Sequence, residues 1–283
     1  MSVESMDSSA QLPAVTESTI DVVGPGGVVT TSSEPVTRVR KLLVNEIFGP
    51  TVQGEGPSSG TPCVFVRLSS CNLHCRWCDT PYTWAFTERQ VKQHDKTTKP
   101  YMPQRETHPM TQAEVVVQVT RRMPGGGLIV ISGGEPLLQK ESLVALLDYL
   151  APMGYWFEIE TAGTRSPGPL ASPIWPISWN VSPKLEHSGN TVIERYHPQV
   201  LRQFNDLGAN FKFVASMAGH LDEVEAIVKD CDLDQTRVWI MPEGTTVEET
   251  IENARKIVNG VIRRRWKLTM RTHTLLWGDQ RGR

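Results

Sequence analysis

Short apolar runs alternate with stretches of helical period from residue 42 onward. Residues 42–48, Leu-Leu-Val-Asn-Glu-Ile-Phe, read as a strand that Gly49-Pro50 breaks, and residues 62–68, Pro-Cys-Val-Phe-Val-Arg-Leu, read as the first strand of the main sheet. The run 128–132, Leu-Ile-Val-Ile-Ser, is too short for a helix and apolar enough to be buried on both faces, as a parallel strand is. Residues 156–161, 177–181, 210–214 and 237–241 read as further strands. Between them, Thr111-Gln112-Ala113-Glu114 carries a capping-box pattern and opens a helix running to about Met123. Leu143, Leu146, Leu147 and Leu150 form one stripe of a second helix. Residues 221–230 and 246–259 read as two more, the latter with Val247, Ile251, Ala254 and Val258 on one face.

Strand followed by helix, repeated, specifies an α/β fold with a parallel sheet, and such sheets collect ligand groups at the carboxyl ends of their strands. The main strands from residue 62 are too few for an eight-fold barrel. Glu158 and Glu160 alternate onto one face of their strand, which hints at a polar lumen. Residues 1 to about 40 are rich in Ser, Thr, Val, Gly and Pro without a sustained period and are expected to be a disordered extension, leaving 41–283 as the folded domain. Residues 85–110 turn polar without a clear period and read as a solvated excursion loop.

Composition narrows the function classes. At 283 residues and 39% hydrophobic the chain can build one large α/β domain. A formal net charge of -2 excludes the strong basic excess of a protein that grips nucleic acid, and Arg263-Arg264-Arg265 is read as a solvated face. No apolar run reaches the length of a membrane span, and the N-terminus lacks the basic-then-apolar order of a signal peptide, so a cytoplasmic location is expected. Five cysteines, three of them in one loop, do not make a disulfide framework.

That loop, Cys71-Asn72-Leu73-His74-Cys75-Arg76-Trp77-Cys78-Asp79-Thr80, has the spacing C-x3-C-x2-C, which lets three thiols converge on one metal group. Structural zinc and electron-transfer clusters are normally closed by four protein ligands, whereas three leave one metal position open. A Cys3His zinc site completed by His74, His94 or His108 is the alternative. Cys63 sits in an apolar run and reads as a small buried thiol. Arg67 interrupts the same run, where a guanidinium needs either a neighbouring carboxylate or a bound anion. Gly133-Gly134-Glu135-Pro136, Ser182-Pro183-Lys184 and Met241-Pro242-Glu243-Gly244 each end a strand, as the cysteine loop does, and so belong to the same rim.

The cysteine spacing resembles the signature of the radical S-adenosylmethionine (SAM) superfamily. Gly49-Pro50-Thr51-Val52-Gln53-Gly54-Glu55-Gly56 upstream and Trp77-Cys78-Asp79-Thr80 downstream are similar to its 7-carboxy-7-deazaguanine synthase family, over about 44–283. The resemblance implies a partial (β/α)6 barrel open on one side, and a [4Fe-4S] cluster on Cys71, Cys75 and Cys78 whose fourth iron is chelated by SAM. It implies that SAM is held by Trp77, Asp79, Gly134, Glu135, Ser182, Pro183, Lys184, Met241, Pro242, Glu243 and Gly244. It places a pterin substrate against Val52, Gln53, Gly54, Glu55, Arg67, Ser132, His273 and Arg283, with Glu160 as a catalytic carboxylate. Thr80, which could otherwise cap its turn, would share one Mg2+ with the substrate. For His273 a packing role is the alternative. The implied reaction converts 6-carboxy-5,6,7,8-tetrahydropterin to 7-carboxy-7-deazaguanine with loss of ammonia, through a 5′-deoxyadenosyl radical. The implied partners are a flavodoxin or ferredoxin reductant and a second copy of the chain as a homodimer.

Overall fold

The computed structural model describes residues 40–283, so residues 1–39 of the expected extension lie outside the described residues. Its strands are β1 (Leu42–Val52), β2 (Pro62–Leu68), β3 (His108–Met110), β4 (Gly127–Gly133), β5 (Tyr155–Thr161), β6 (Ile177–Val181), β7 (Asn210–Ala215), β8 (Val238–Pro242) and β9 (Lys267–Leu268). They join one sheet in the order β3-β1-β2-β4-β5-β6-β7-β8-β9. From β2 to β9 every neighbour is parallel. β1 and β3 extend the other edge antiparallel. The end strands β3 and β9 do not meet, and the sheet is the open partial barrel that the alternation and the family resemblance imply.

The helices are α1 (Glu88–Val91), α2 (Pro103–Glu106), α3 (Gln112–Arg122), α4 (Lys140–Leu150), α5 (Val192–Arg195), α6 (Pro198–Asp206), α7 (Ala218–Asp230), α8 (Val247–Arg263) and α9 (Thr272–Trp277). Thr111 and Glu114 close the expected capping box at the start of α3. Period-2 alternation divides each strand between two environments. Val64, Val66, Ile129, Ile131, Phe157 and Phe211 belong to the large core cluster that the leucine stripe of α4 also joins. Fully buried Phe157, Phe204, Phe211 and Phe213 each contribute roughly 1.5–3 kcal/mol. On the inner face Phe48, Cys63, Phe65, Leu128 and Val130 form a separate apolar plug toward the amino ends of the parallel strands. The next inward positions, Arg67, Ser132, Glu160 and Lys212, are polar and open onto a cavity.

Several elements differ from the reading of the sequence. Gly49-Pro50 does not end β1: the strand continues to Val52 with a register shift between Phe48 and Thr51, a bulge that accommodates a proline without a donor. The stretch 85–110 is not simply solvated. Trp84, Ala85 and Val91 are buried and pack with Cys71, Cys78 and Tyr101, and β3 pairs with β1. Its two helices are single turns, too short to produce a period. Helix α6 was missed, although Pro198 at its first turn and buried Leu201 and Phe204 on one stripe mark it. Among the described residues no helix is long and apolar enough to cross a membrane.

Candidate active site

The cysteine loop leaves the carboxyl end of β2 through Ser70, which takes a positive φ of 77°. The Ser70 N–H donates to the Thr83 carbonyl at 2.8 Å, and the Ser70 carbonyl accepts from the Glu135 N–H at 2.8 Å. A Cβ on Gly134 would overlap that carbonyl, so the second glycine of Gly133-Gly134-Glu135 is what lets the end of β4 close against the cysteine loop.

Each of the three sulfurs accepts an N–H hydrogen bond. Leu73 N donates to Cys71 Sγ at 3.4 Å, Asn190 Nδ2 to Cys75 Sγ at 3.2 Å and Trp84 Nε1 to Cys78 Sγ at 3.3 Å. Burial holds all three as thiols, with Cys75 pushed up to about 12, so iron coordination is what would draw the protons off. Three unlinked thiols on one cavity wall, each capped by a donor suited to a thiolate, fit an iron–sulfur cluster.

The zinc alternative fails on its fourth ligand. His94 donates from Nε2 to the Cys78 carbonyl at 2.7 Å and accepts at Nδ1 from Thr97 N at 2.9 Å, so both ring nitrogens are committed. The His74 ring stacks on Trp84 with centroids 4.8 Å apart and turns its Nε2 toward Gln90. His108 lies on edge strand β3, opposite Val44.

The cavity at the carboxyl ends of the strands has a volume of about 960 Å3. Cys71, Cys75, Cys78, Trp77, Asp79 and Thr80 form one wall. Ser132, Gly134, Ser182 and Lys184 form a second with Met241, Pro242, Glu243 and Gly244. Val52, Gln53, Glu55, Arg67, Glu160, His273 and Arg283 complete it. Gly54, Glu135 and Pro183 do not reach it. The Glu135 carboxylate, expected among the residues that hold SAM, turns inward and accepts from Thr161 Oγ1 at 2.8 Å, Ala162 N at 2.9 Å and Leu137 N at 3.1 Å. These bonds tie the ends of β4 and β5 together, and the carboxylate supports the wall from behind.

The cavity floor is a network of charges around Glu55. Lys212 Nζ bonds Glu55 Oε2, and Arg271 Nε bonds Oε1 at 3.0 Å. Arg271 also bonds Asp79 and donates from Nη1 to the Gly244 carbonyl at 2.7 Å. Lys212 stands 3.5 Å from Glu160 Oε1. Burial alone would raise the Glu55 carboxyl, but the Lys212 and Arg271 cations outweigh it and hold it well below the usual carboxylate range. Sequence reasoning missed both cations. For Lys212 the signal was present, since Phe211-Lys212-Phe213 interrupts an apolar strand as Arg67 does.

Arg67 bonds Glu46 and the Tyr82 hydroxyl and lies 4.9 Å over the Phe48 ring. The structure thus shows the neighbouring carboxylate that sequence reasoning weighed against a bound anion. Glu46 also holds Arg281 at 3.2 Å, and Arg281 packs 4.0 Å over the Tyr82 ring, so the C-terminal residues close one side of the cavity. Thr80 does not cap its turn through its side chain; among the described residues its hydroxyl meets Cys78 Sγ alone, at 3.6 Å.

An open parallel half-barrel that delivers three capped thiols and a charged floor to one cavity is the architecture of a radical SAM enzyme. Residues 52–154 match the family described as a 4Fe-4S single cluster domain. The chain is 32% identical over 239 residues to the 7-carboxy-7-deazaguanine synthase of Hyperthermus butylicus, covering 83% of this chain and 92% of that one. It is 32% identical over 249 residues to that of Pyrobaculum aerophilum, covering 86% and 98%. The crystal structure of QueE from Escherichia coli superposes with a TM-score of 0.59 at 26% identity, covering 82% of this chain and 95% of that chain. The chain belongs to the 7-carboxy-7-deazaguanine synthase family.

Proposed function

We propose that the enzyme converts 6-carboxy-5,6,7,8-tetrahydropterin to 7-carboxy-7-deazaguanine with release of ammonia, in 7-deazapurine biosynthesis of the queuosine type. The observation that carries this reading is the convergence of the three capped thiols and the Glu55-centred ion network on one cavity large enough for a cofactor and a pterin together. When bound, a [4Fe-4S] cluster on Cys71, Cys75 and Cys78 with SAM supplies the hydrogen-abstracting radical. Trp77, Lys184, Met241 and Glu243 provide an aromatic, a cation, a thioether and a carboxylate against which SAM lies.

Arg67 takes the substrate carboxylate in exchange for Glu46, one carboxylate for another at the same guanidinium. Thr80, whose hydroxyl has no oxygen or nitrogen partner among the described residues, would hold one Mg2+, which would supply positive charge to orient that carboxylate. Glu160 is held at Oε1 by Lys212 and by Gln53 Nε2 at 3.3 Å, which leaves Oε2 to exchange a proton with the substrate. Val52, His273 and Arg283 close the pocket and exclude water. The electron comes from a flavodoxin or ferredoxin, and the enzyme works as a cytoplasmic homodimer; the family resemblance supports these assignments.

The test is anaerobic turnover of the carboxypterin by the iron-loaded protein. The expected result is 7-carboxy-7-deazaguanine and ammonia, both lost in Cys71→Ala. SAM cleavage that leaves the carboxypterin untouched would overturn the substrate assignment.

A further inference from the structure

Of Glu55, Glu158 and Glu160 in the lumen, Glu158 is the one that forms no ion pair among the described residues. Glu55 bonds Lys212 and Arg271, and Glu160 shares Lys212. Glu158 is fully buried, and among the described residues its oxygens bond Gln53 Nε2 and Ser58 Oγ. The same Gln53 nitrogen reaches Glu160 Oε1 at 3.3 Å, while Gln53 Oε1 accepts from Glu55 N at 3.3 Å. Both hydrogens of one amide are therefore spent on two carboxylates that stand two residues apart on β5, and the amide has none left for a ligand.

Two like charges this close in a water-poor lumen are relieved when one takes a proton. Glu160 has the Lys212 ammonium 3.5 Å from its Oε1. Glu158 has no such neighbour. β4 presents Val130 opposite it and β6 presents Ser178. β2 presents Cys63, whose thiol burial and the two glutamates push up to about 12, so it adds no charge. Among the described residues, Lys212 on β7, Glu55 after β1 and His273 at the start of α9 are the remaining titratable groups facing the pair. A protonated Glu158 fits the geometry, since its O–H can donate to Ser58 Oγ while its carbonyl accepts from Gln53.

We propose that Glu158 is a positioning residue that carries a proton in the working enzyme and, through Gln53, fixes the ionised carboxylate of Glu160 against Lys212. The proposal rests on the role given to Glu160 in the proposed reaction. Burial and the neighbouring Glu160 raise the Glu158 carboxyl to about 7 from its ordinary 4.5. The folded chain therefore binds a proton that the unfolded chain has released between those values, and stability attached to this group falls as pH rises through that window.

Two measurements need neither cluster nor substrate. Infrared difference spectra of the purified chain should show a protonated carboxyl band that titrates near neutrality and is missing in Glu158→Gln. The melting temperature of Glu158→Gln should rise relative to the native chain from about pH 4.5 to about 7 and then level off. In the loaded enzyme, Glu158→Leu frees Gln53 and should lower kcat roughly tenfold to a hundredfold with KM little changed. Glu158→Gln keeps both hydrogen bonds and should restore kcat while flattening its decline above neutral pH. An infrared band unchanged in Glu158→Gln, or a Glu158→Gln enzyme as impaired as Glu158→Leu, would overturn the proposal. Failure of the carboxypterin reaction itself leaves the infrared and melting results to decide.

Discussion

A side chain on Gly54 would collide with the imidazole of His273. An added Cβ falls inside contact distance of Nδ1 and 3.0 Å from the His273 backbone nitrogen, and the Gly54 carbonyl accepts from Thr272 N at 2.8 Å. Gly56 N donates to Thr269 Oγ1 at 2.8 Å in the same seam. The turn after β1 and the start of α9 are thereby one structural unit, although more than 200 residues separate them in the chain.

Gly54→Ala should therefore displace His273 and α9 from the cavity. The expected result is a KM for the carboxypterin raised about tenfold or more, with iron content and uncoupled SAM cleavage retained. An unchanged KM would show that α9 can shift without disturbing the pocket.

Arg271 is nearly buried and neutralises Glu55 and Asp79 together. Arg271→Met leaves those carboxylates short of a cation and should destabilise the fold by about 3–5 kcal/mol in denaturant titration. Its pH dependence has a definite sign. Glu55 has a depressed folded value, so its pairing stabilises above the ordinary carboxylate range and that stability is lost as pH falls below it. The variant should lose less stability than the native chain on acidification, and an equal loss would remove Glu55 as the source.

Trp84 joins the cysteine loop to the segment after it through its bond to Cys78 Sγ. An N–H donor to a cluster thiolate favours the more negative, reduced state. Trp84→Phe keeps the packing and removes the donor. The cluster potential should move more negative by on the order of tens of millivolts in a redox titration followed by electron paramagnetic resonance. A shift in the positive direction would contradict the assignment.

Thr80→Val removes a hydroxyl without changing the shape of the turn, which the side chain does not cap. Magnesium should stimulate the native enzyme severalfold and the variant not at all, while iron content and SAM binding stay as they were. Full stimulation of the variant would place the metal elsewhere.

Period and punctuation were sufficient for the six strands from residue 62 to residue 241, because each is a short run rich in apolar residues set off from helical stretches; the seventh parallel strand, β9, has only two residues and shows no period. The cysteine spacing was sufficient for the cluster, since its ligands are local in the chain. Glu158 and Glu160 announced a polar lumen by falling on one face of β5. The charge network was not legible, because what makes Glu55 a hub is the arrival of Lys212 from β7 and Arg271 from the segment after β9, and no local rule pairs residues that distant. The same holds for Asn190, which reaches Cys75 across more than a hundred residues. Glu135 shows the limit from the other side: its place at the end of β4 was legible, but only packing decides which way a carboxylate turns, and here the Ala162 N–H and the Thr161 hydroxyl claim it.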